Sequence, residues 1–268
     1  MIWLVQLVFD CRDPDAIIRF WGRALEYRND LCFASDEEVA DFRAAYPQFD
    51  GRGRIDDREL RRPPVYIQRV PEAKSGPNRL ELEIAVPPGS RTAVRQDLLR
   101  LGATVHGDQL ADVEGNEFSL REASDLAERK LASVAFACLD PDRMTEFWSA
   151  ATGFVPGVRR CDSVDIGLGY QDGGFVLHGR RFLHVTGSEA APTRVRLFDL
   201  SPGLTFRPVD QPKRMKNRLH LDLNSTDAAA DQERLIGLGA SVLQWDREHV
   251  MADPEGNEFC LSSPAEPG

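Results

Sequence analysis

The pentapeptide EGNEF at residues 114–118 occurs again at residues 255–259, 141 residues later. Three further matches keep the same order along the chain, at offsets of 127 to 139 residues: DPD…FW at 13–21 and 140–148, RLEL at 79–82 and RLHL at 218–221, and LGA at 101–103 and 238–240. Self-similarity at a fixed period is typical of a chain built from copies of one structural unit. The sequence therefore predicts two domains, residues 1–123 and 131–264, with a charged linker around 122–130.

Each repeat begins with a strand followed by a helix. Apolar runs at 4–11 and 132–138 have the length of strands. Asp13 and Asp140 come next, each before a proline, which is the arrangement typical of a helix N-terminus. Apolar residues then recur at helical spacing, and the predicted buried faces are Ile17, Phe20, Trp21 and Leu25 in the first repeat and Met144, Phe147, Trp148 and Ala151 in the second.

A second helix is predicted in each repeat, at 91–101 and at 227–238. Both end at the glycine of an LGA motif, a residue that commonly terminates helices. The elements of each repeat read β-α-β-β-β twice over. The predicted fold class is therefore α+β, with tandem βαβββ units, four in all.

Alternation along the strands shows which face is polar. In LELEI at 80–84, Glu81 and Glu83 share one face, and in LHLDL at 219–223, His220 and Asp222 do the same. The opposite, apolar faces must pack on the helices, because the helices carry the aromatic residues. The polar face is then either a cup that binds a ligand or a surface open to water.

Composition excludes several classes of function. The 33 basic and 43 acidic residues give a net charge of −10, which argues against nucleic acid or an anionic membrane as the main partner. No apolar run is long enough to span a bilayer, and the N-terminus has no signal-peptide pattern. The five cysteines show no CxxC pattern, so a cytoplasmic protein without a disulfide framework is expected.

These motifs, together with QRVP at 68–71, KNRLHLDL at 216–223 and DPEGNEFCL at 253–261, resemble the glyoxalase/bleomycin-resistance/extradiol-dioxygenase superfamily, also called vicinal oxygen chelate proteins. The resemblance covers nearly the whole chain, twice, and is closest to the glyoxalase-like branch. It implies paired units whose mixed sheets curl around two cups. It also implies a small-molecule ligand, and in the metal enzymes of the superfamily a divalent ion in the cup.

The resemblance implies metal ligands at set positions on the first and last strands of the units. In the first repeat these positions hold Gln6, Gln68, Glu81 and Ser119, and Glu117 lies two residues before the last. Gln6, Glu81 and Glu117 are the metal candidates, since an oxygen-donor set suits Mg²⁺ or Mn²⁺.

The second repeat offers Ser133, Arg207, His220 and Cys260 at the same positions, with Glu258 two residues before Cys260. His220, Glu258 and Cys260 would suit Zn²⁺ if Arg207 points elsewhere, because an Arg at a metal position offers a fixed charge and no lone pair. Neither repeat therefore keeps a full ligand set. For the chain as a whole, Mn²⁺, Fe²⁺, Ni²⁺, Zn²⁺ and Mg²⁺ are the candidate ions.

Individual residues allow more than one interpretation. His220 and Glu258 are candidate catalytic groups; a hydrogen-bonded surface histidine and a glutamate that holds the backbone of a turn are the structural alternatives. Arg207 either binds an anionic ligand or forms an ion pair with Asp222 or Glu258. The candidate ligand-binding residues are Gln68, Arg207, Asp222, Cys260 and Tyr66, with Trp245 as a second aromatic platform.

Two functions compete on this evidence. The first is a lyase, isomerase or dioxygenase in which a divalent ion chelates neighbouring oxygens of the substrate. The second is a metal-free protein of the bleomycin-resistance kind, which sequesters a drug or metabolite. A third possibility divides the roles, so that one repeat keeps a site and the other is structural. In either case, two repeats in one chain can supply the paired arrangement that single-repeat relatives make by dimerising, and a monomer or homodimer is expected.

Overall fold

The computed structural model describes residues 2–27, 53–57, 62–124, 126–153, 203–243 and 250–263, and the backbone alone of 155–156, 175–178, 182–186, 194–198 and 249. Trp245 lies outside these residues. Within them the chain forms the helices α1 (Pro14–Leu25), α2 (Arg91–Arg100), α3 (Pro141–Thr152) and α4 (Ala228–Gly237). None of the described helices is long and apolar enough to cross a membrane.

Strands precede and follow each of these helices. They are β1 (Ile2–Cys11), β2 (Arg54–Ile55), β3 (Val65–Arg69), β4 (Leu80–Val86), β5 (Thr104–His106), β6 (Gln109–Ala111), β7 (Glu117–Glu122), β8 (Lys130–Cys138), β9 (Val155–Pro156), β10 (Phe175–His178), β11 (Phe182–Thr186), β12 (Arg194–Phe198), β13 (Gly203–Pro208), β14 (Leu219–Ser225), β15 (Ser241–Val242), β16 (His249–Ala252) and β17 (Glu258–Ser262).

These strands form two curled mixed sheets and a hairpin of β11 with β12. Sheet I has the order β15-β16-β17-β14-β1-β3-β2, and sheet II has the order β5-β6-β7-β4-β8-β13-β10-β9. At the centre of each sheet two long strands run antiparallel, β1 with β14 and β4 with β8. Each central strand has a parallel neighbour on its outer side, which is β3, β17, β7 or β13. The predicted α+β fold is confirmed.

Each sheet takes strands from both repeats. Sheet I joins the first unit to the last, so that Gln6 lies opposite Asp222. Sheet II joins the second unit to the third, so that Glu83 lies opposite Ser133. Candidate ligands that the sequence groups by repeat are therefore separated: Gln6 belongs to sheet I and Glu81 to sheet II.

The helices begin where the sequence predicts. The carboxylates of Asp13 and Asp140 accept the backbone N–H of Ala16 and Arg143, both at 3.0 Å, and thereby satisfy donors that the first helical turn leaves free. All of the predicted core residues of α1 and α3 are buried, and they are Ile17, Phe20, Trp21 and Leu25, with Met144, Phe147, Trp148 and Ala151.

Two buried tryptophans tie these helices to the final turn of each repeat. The indole Nε1 of Trp21 donates to Asp112 over 2.8 Å, and that of Trp148 donates to Asp253 over 3.3 Å. Burial raises the pKa of both carboxyls, that of Asp253 to about 6. The helices therefore cover the apolar faces of the sheets, and the polar faces remain for a site.

Candidate functional site

The polar face of sheet I brings together side chains from both ends of the chain. We call this face cup I, and its residues are Gln6, Tyr66, Gln68, His220, Asp222 and Cys260. The strand register places them on one face: Gln6 lies opposite Asp222, which lies beside Cys260, while His220 lies opposite Val8, which lies beside Tyr66.

His220, Asp222 and Cys260 form the centre of cup I. One potential ligand atom from each of them lies within 4.8 Å of the others. Oδ2 of Asp222 accepts a hydrogen bond from the side-chain amide of Gln6 over 2.7 Å. Oδ1 of Asp222 lies 3.5 Å from Nε2 of His220. The side chains of His220 and Asp222 are 13% and 22% exposed, so both are partly buried.

One atom in this cluster is left without a hydrogen bond. Oδ1 of Asp222 is buried and accepts no hydrogen bond from the described residues. An unsatisfied buried carboxylate oxygen is costly, because its water shell is lost and nothing replaces it. A cation bound between Asp222, His220 and Cys260 would remove this cost.

The donor chemistry of cup I fits a divalent metal. Imidazole nitrogen, carboxylate oxygen and thiolate sulfur are the three ligand types that Zn²⁺ accepts, and Gln6 holds the carboxylate in place. Tyr66 and Gln68 are partly exposed and lie on β3, which β1 separates from β14.

The polar face of sheet II is a different site, which we call cup II. Its residues are Glu81, Glu83, Arg121, Ser133, Thr205 and Arg207. The Glu83 carboxylate is at its centre, and it accepts Oγ of Ser133 over 2.7 Å and Nη2 of Arg207 over 3.0 Å. Nε of Arg121 lies 3.6 Å from the second oxygen of Glu83.

The ion pair of Arg207 corrects the partners that the sequence suggests for it. Arg207 pairs with Glu83, whereas Asp222 and Glu258 belong to sheet I. The physical reason is that β13 pairs with β8, which belongs to the same unit, and not with β14 or β17. Sequence reasoning places Glu83 on the polar face but does not single it out, and Arg121 was missed.

Glu81 lies beside this network but outside its centre. Its carboxyl accepts the side-chain amide of Gln109. Burial raises the pKa of the Glu81 carboxyl, against the opposing effects of the Gln109 hydrogen bond and of the Arg207 charge. Glu81 therefore lies in a different sheet from Gln6 and close to the positive charge of Arg207. Both facts argue against the metal role that the sequence suggests for it.

Glu117 and Glu258 make the same set of contacts in the two repeats. Glu117 accepts Nζ of Lys74 over 2.8 Å and the backbone N–H of Asn78 over 3.2 Å.

Glu258 accepts Nζ of Lys213 over 2.5 Å and the backbone N–H of Asn217 over 3.2 Å. Both oxygens of each carboxylate are engaged, and each holds the loop that precedes a central strand. These contacts favour a structural role for both residues over metal binding or catalysis.

Comparison with known proteins places this geometry in context. A family model described as a glyoxalase-like domain matches residues 6–121 and 133–262. No curated protein is a significant sequence match to the chain.

Solved structures share the fold at low sequence identity. A glyoxalase I mutant from Zea mays matches with a TM-score of 0.55 at 13% identity, over 98% of this chain and 94% of that one. A second mutant of the same enzyme matches with a TM-score of 0.53 at 12% identity, over 97% and 92% of the two chains. A candidate dioxygenase from Bacillus subtilis subsp. subtilis str. 168 matches with a TM-score of 0.52 at 12% identity, over 98% and 85%. At these identities the likeness shows the fold alone.

Proposed function

We propose, because the chain belongs to the glyoxalase-like domain family of the vicinal oxygen chelate superfamily, that cup I binds a divalent metal and a small organic molecule with two neighbouring oxygens. The observation that carries the proposal is the cluster of His220, Asp222 and Cys260, with one buried oxygen of Asp222 unsatisfied. The domains proposed to cooperate in this site are residues 1–123 and 131–264, since Gln6 comes from one and the cluster from the other.

The ligand set would favour zinc. His220, Asp222 and Cys260 would hold the ion, and a bound zinc supplies Lewis-acid polarisation of a substrate carbonyl. Gln6 would keep the Asp222 carboxylate oriented through its amide. Tyr66 and Gln68, on the same face of sheet I, would contact and orient the organic part of the substrate.

This chemistry supports an isomerase or lyase more than a dioxygenase. A thiolate ligand suits zinc, which has no redox chemistry, whereas oxygenases use iron with histidine and carboxylate ligands. The proposed reaction class is therefore an isomerase or lyase reaction on a substrate with two neighbouring oxygens, such as an α-ketoaldehyde.

Elemental analysis and zinc titration test the proposal directly. The protein purified without chelators, or supplied with Zn²⁺, should retain the metal in a stoichiometric amount. His220→Ala and Asp222→Asn should lose it, and Gln6→Ala should weaken zinc affinity by about 10–100-fold, as other groups that orient ligands do.

The matched control is His106→Ala. His106 is an exposed histidine of β5, and its loss should leave zinc binding unchanged. Turnover of α-ketoaldehyde and catechol probes by the zinc-loaded protein then separates the two reaction classes. A wild-type protein that retains no Zn²⁺, Mn²⁺, Fe²⁺ or Ni²⁺ would rule out the metal enzyme.

A metal-free binding protein is the second candidate. It is favoured by one observation, the Arg207 guanidinium at the position in cup II where the superfamily places a metal ligand. In this case the chain would sequester a drug or metabolite without turnover, and small-molecule binding by metal-free protein would be the distinguishing result.

A further inference from the structure

Cup II carries a built-in positive charge at the position equivalent to Gln68 of cup I. β13 runs parallel to β8 as β3 runs parallel to β1, so Arg207, which lies beside Ala137, matches Gln68, which lies beside Asp10. The cation of cup II is thus a side chain, and a divalent ion placed there would be repelled by it.

Two guanidinium groups converge on a single carboxylate. Glu83 is 4% exposed at its side chain and faces Nη2 of Arg207 on one oxygen and Nε of Arg121 on the other. Its second oxygen also accepts Oγ of Ser133. Each guanidinium has five N–H donors, and one carboxylate can accept about four hydrogen bonds in total. Glu83 therefore cannot satisfy both arginines.

Two buried polar atoms in cup II have no hydrogen-bond partner among the described residues. They are Nε of Arg121 and Oγ1 of Thr205, and Thr205 is wholly buried. The strand register places Thr205 beside Ala135, which lies opposite Glu81, so its side chain is on the cup II face.

The arginines, unlike Glu83, reach solvent. The side chains of Arg207 and Arg121 are 36% and 24% exposed. A ligand entering cup II would meet these two groups first. Burial raises the pKa of the nearby Glu81 carboxyl, against the lowering effects of the Gln109 hydrogen bond and the Arg207 charge.

We propose that cup II binds the carboxylate of a small organic acid, without a metal, on Arg207 and Arg121. A planar guanidinium and a carboxylate match in geometry and form short, charge-assisted hydrogen bonds. This inference does not depend on the proposed function of cup I.

The test is calorimetric titration of chelator-treated protein with acetate, pyruvate and benzoate. Removal of metal excludes chelation of the same acids in cup I. At least one of the three should bind, while its matched neutral amide, for example pyruvamide for pyruvate, should not. Failure of all three acids to bind, or equal binding of acid and amide, would overturn the proposal.

Variants locate the binding in cup II. Arg207→Gln keeps an amide donor for Glu83 but removes the charge, and it should weaken binding by at least about tenfold. His220→Ala, in cup I, and Arg100→Gln, an exposed arginine of α2, should bind as the wild type does.

Arg207→Lys provides a second variant should Arg207→Gln fold poorly. It keeps the charge and loses the planar guanidinium, and its affinity for the acid should lie between that of Arg207→Gln and that of the wild type. Unchanged affinity in both Arg207 variants, or loss of binding in His220→Ala, would contradict the assignment to cup II.

Discussion

Gln6, in the first repeat, donates its side-chain amide to Asp222, in the second repeat, over 2.7 Å. This hydrogen bond crosses the seam between the central strands of sheet I. Ser133 and Glu83 make the corresponding contact across the seam of sheet II, also at 2.7 Å. Each polar face therefore depends on both repeats, and neither repeat alone contains a complete cup.

The seam contact of sheet I should contribute measurably to stability. In a double-mutant cycle of Gln6→Ala and Asp222→Ala, we expect a coupling free energy of about 1.5–3 kcal/mol, because the hydrogen bond is partly buried and its acceptor is charged. Urea unfolding of the four proteins without metal measures it.

An exposed ion pair gives the control for this cycle. Arg100 and Asp97 of α2 are 71% and 52% exposed at their side chains, and their coupling should be at most about 0.5 kcal/mol. A coupling between Gln6 and Asp222 no larger than that of the control pair would show that the seam contact does not stabilise the fold.

Glu117 and Glu258 should behave alike when replaced. We expect Glu117→Ala and Glu258→Ala each to destabilise the protein by about 2–4 kcal/mol, because a largely buried lysine and a backbone N–H lose their acceptor. Thermal and denaturant unfolding measure this loss, with Glu146→Ala on the exposed face of α3 as the neutral control.

A catalytic Glu258 would give a different result. In that case Glu258→Ala would abolish turnover or ligand binding while leaving stability near that of the wild type. Glu117→Ala would not show this loss of turnover or binding. Such a split between the two equivalent residues would contradict the structural role.

Local features of the sequence predicted much of the fold. The N-cap residues Asp13 and Asp140, the buried faces of α1 and α3 and the polar faces of the strands all follow from patterns a few residues long. The pairing of β1 with β14 leaves no such pattern, because alternation gives the face of a strand and not its neighbour.

This limit explains which parts of the candidate site could not be predicted from the sequence. Grouping by repeat put Gln6 with Glu81, and only the sheet order brings Gln6 to His220, Asp222 and Cys260. The lysine partners of Glu117 and Glu258 left a usable signal, since Lys74 and Lys213 stand at corresponding places before the two RL motifs.

Two glycines near the end of α4 should respond in opposite ways to alanine. Gly239 has a φ of +103°, in the region that side chains disfavour, and Gly239→Ala should destabilise the protein by about 1–2 kcal/mol. Gly237 is helical with open space around it, and Gly237→Ala should stabilise by about 0.5–1 kcal/mol. Equal effects in denaturant unfolding would show that backbone conformation does not decide these positions.

Asp253 should make stability depend on pH. Its folded-state pKa of about 6 lies above the ordinary value of 3.8, so the folded protein holds this proton more tightly. Its contribution to the free energy of unfolding is therefore fully present below the ordinary pKa and is lost as the pH rises through about 6, by up to about 3 kcal/mol.

Comparison with Asp253→Asn isolates this group, because the other carboxyls are common to both proteins. Between about pH 4 and pH 6, the stability of the wild type relative to the variant should fall. A difference that stays constant over this range, measured by urea unfolding at several pH values, would mean that Asp253 does not titrate there.

Cys260 should decide which metal cup I prefers. A thiolate favours zinc over hard ions such as Mg²⁺ and Mn²⁺, whereas a hydroxyl does not. Cys260→Ser should therefore lower zinc affinity with little loss of Mn²⁺ affinity, and competition between the two ions for each protein measures the ratio. Cys138→Ser is the control, because Cys138 is buried beside Pro208 in sheet II and lies outside the cluster. An unchanged zinc-to-manganese ratio in Cys260→Ser would remove Cys260 from the ligand set and leave His220 and Asp222 to hold the ion.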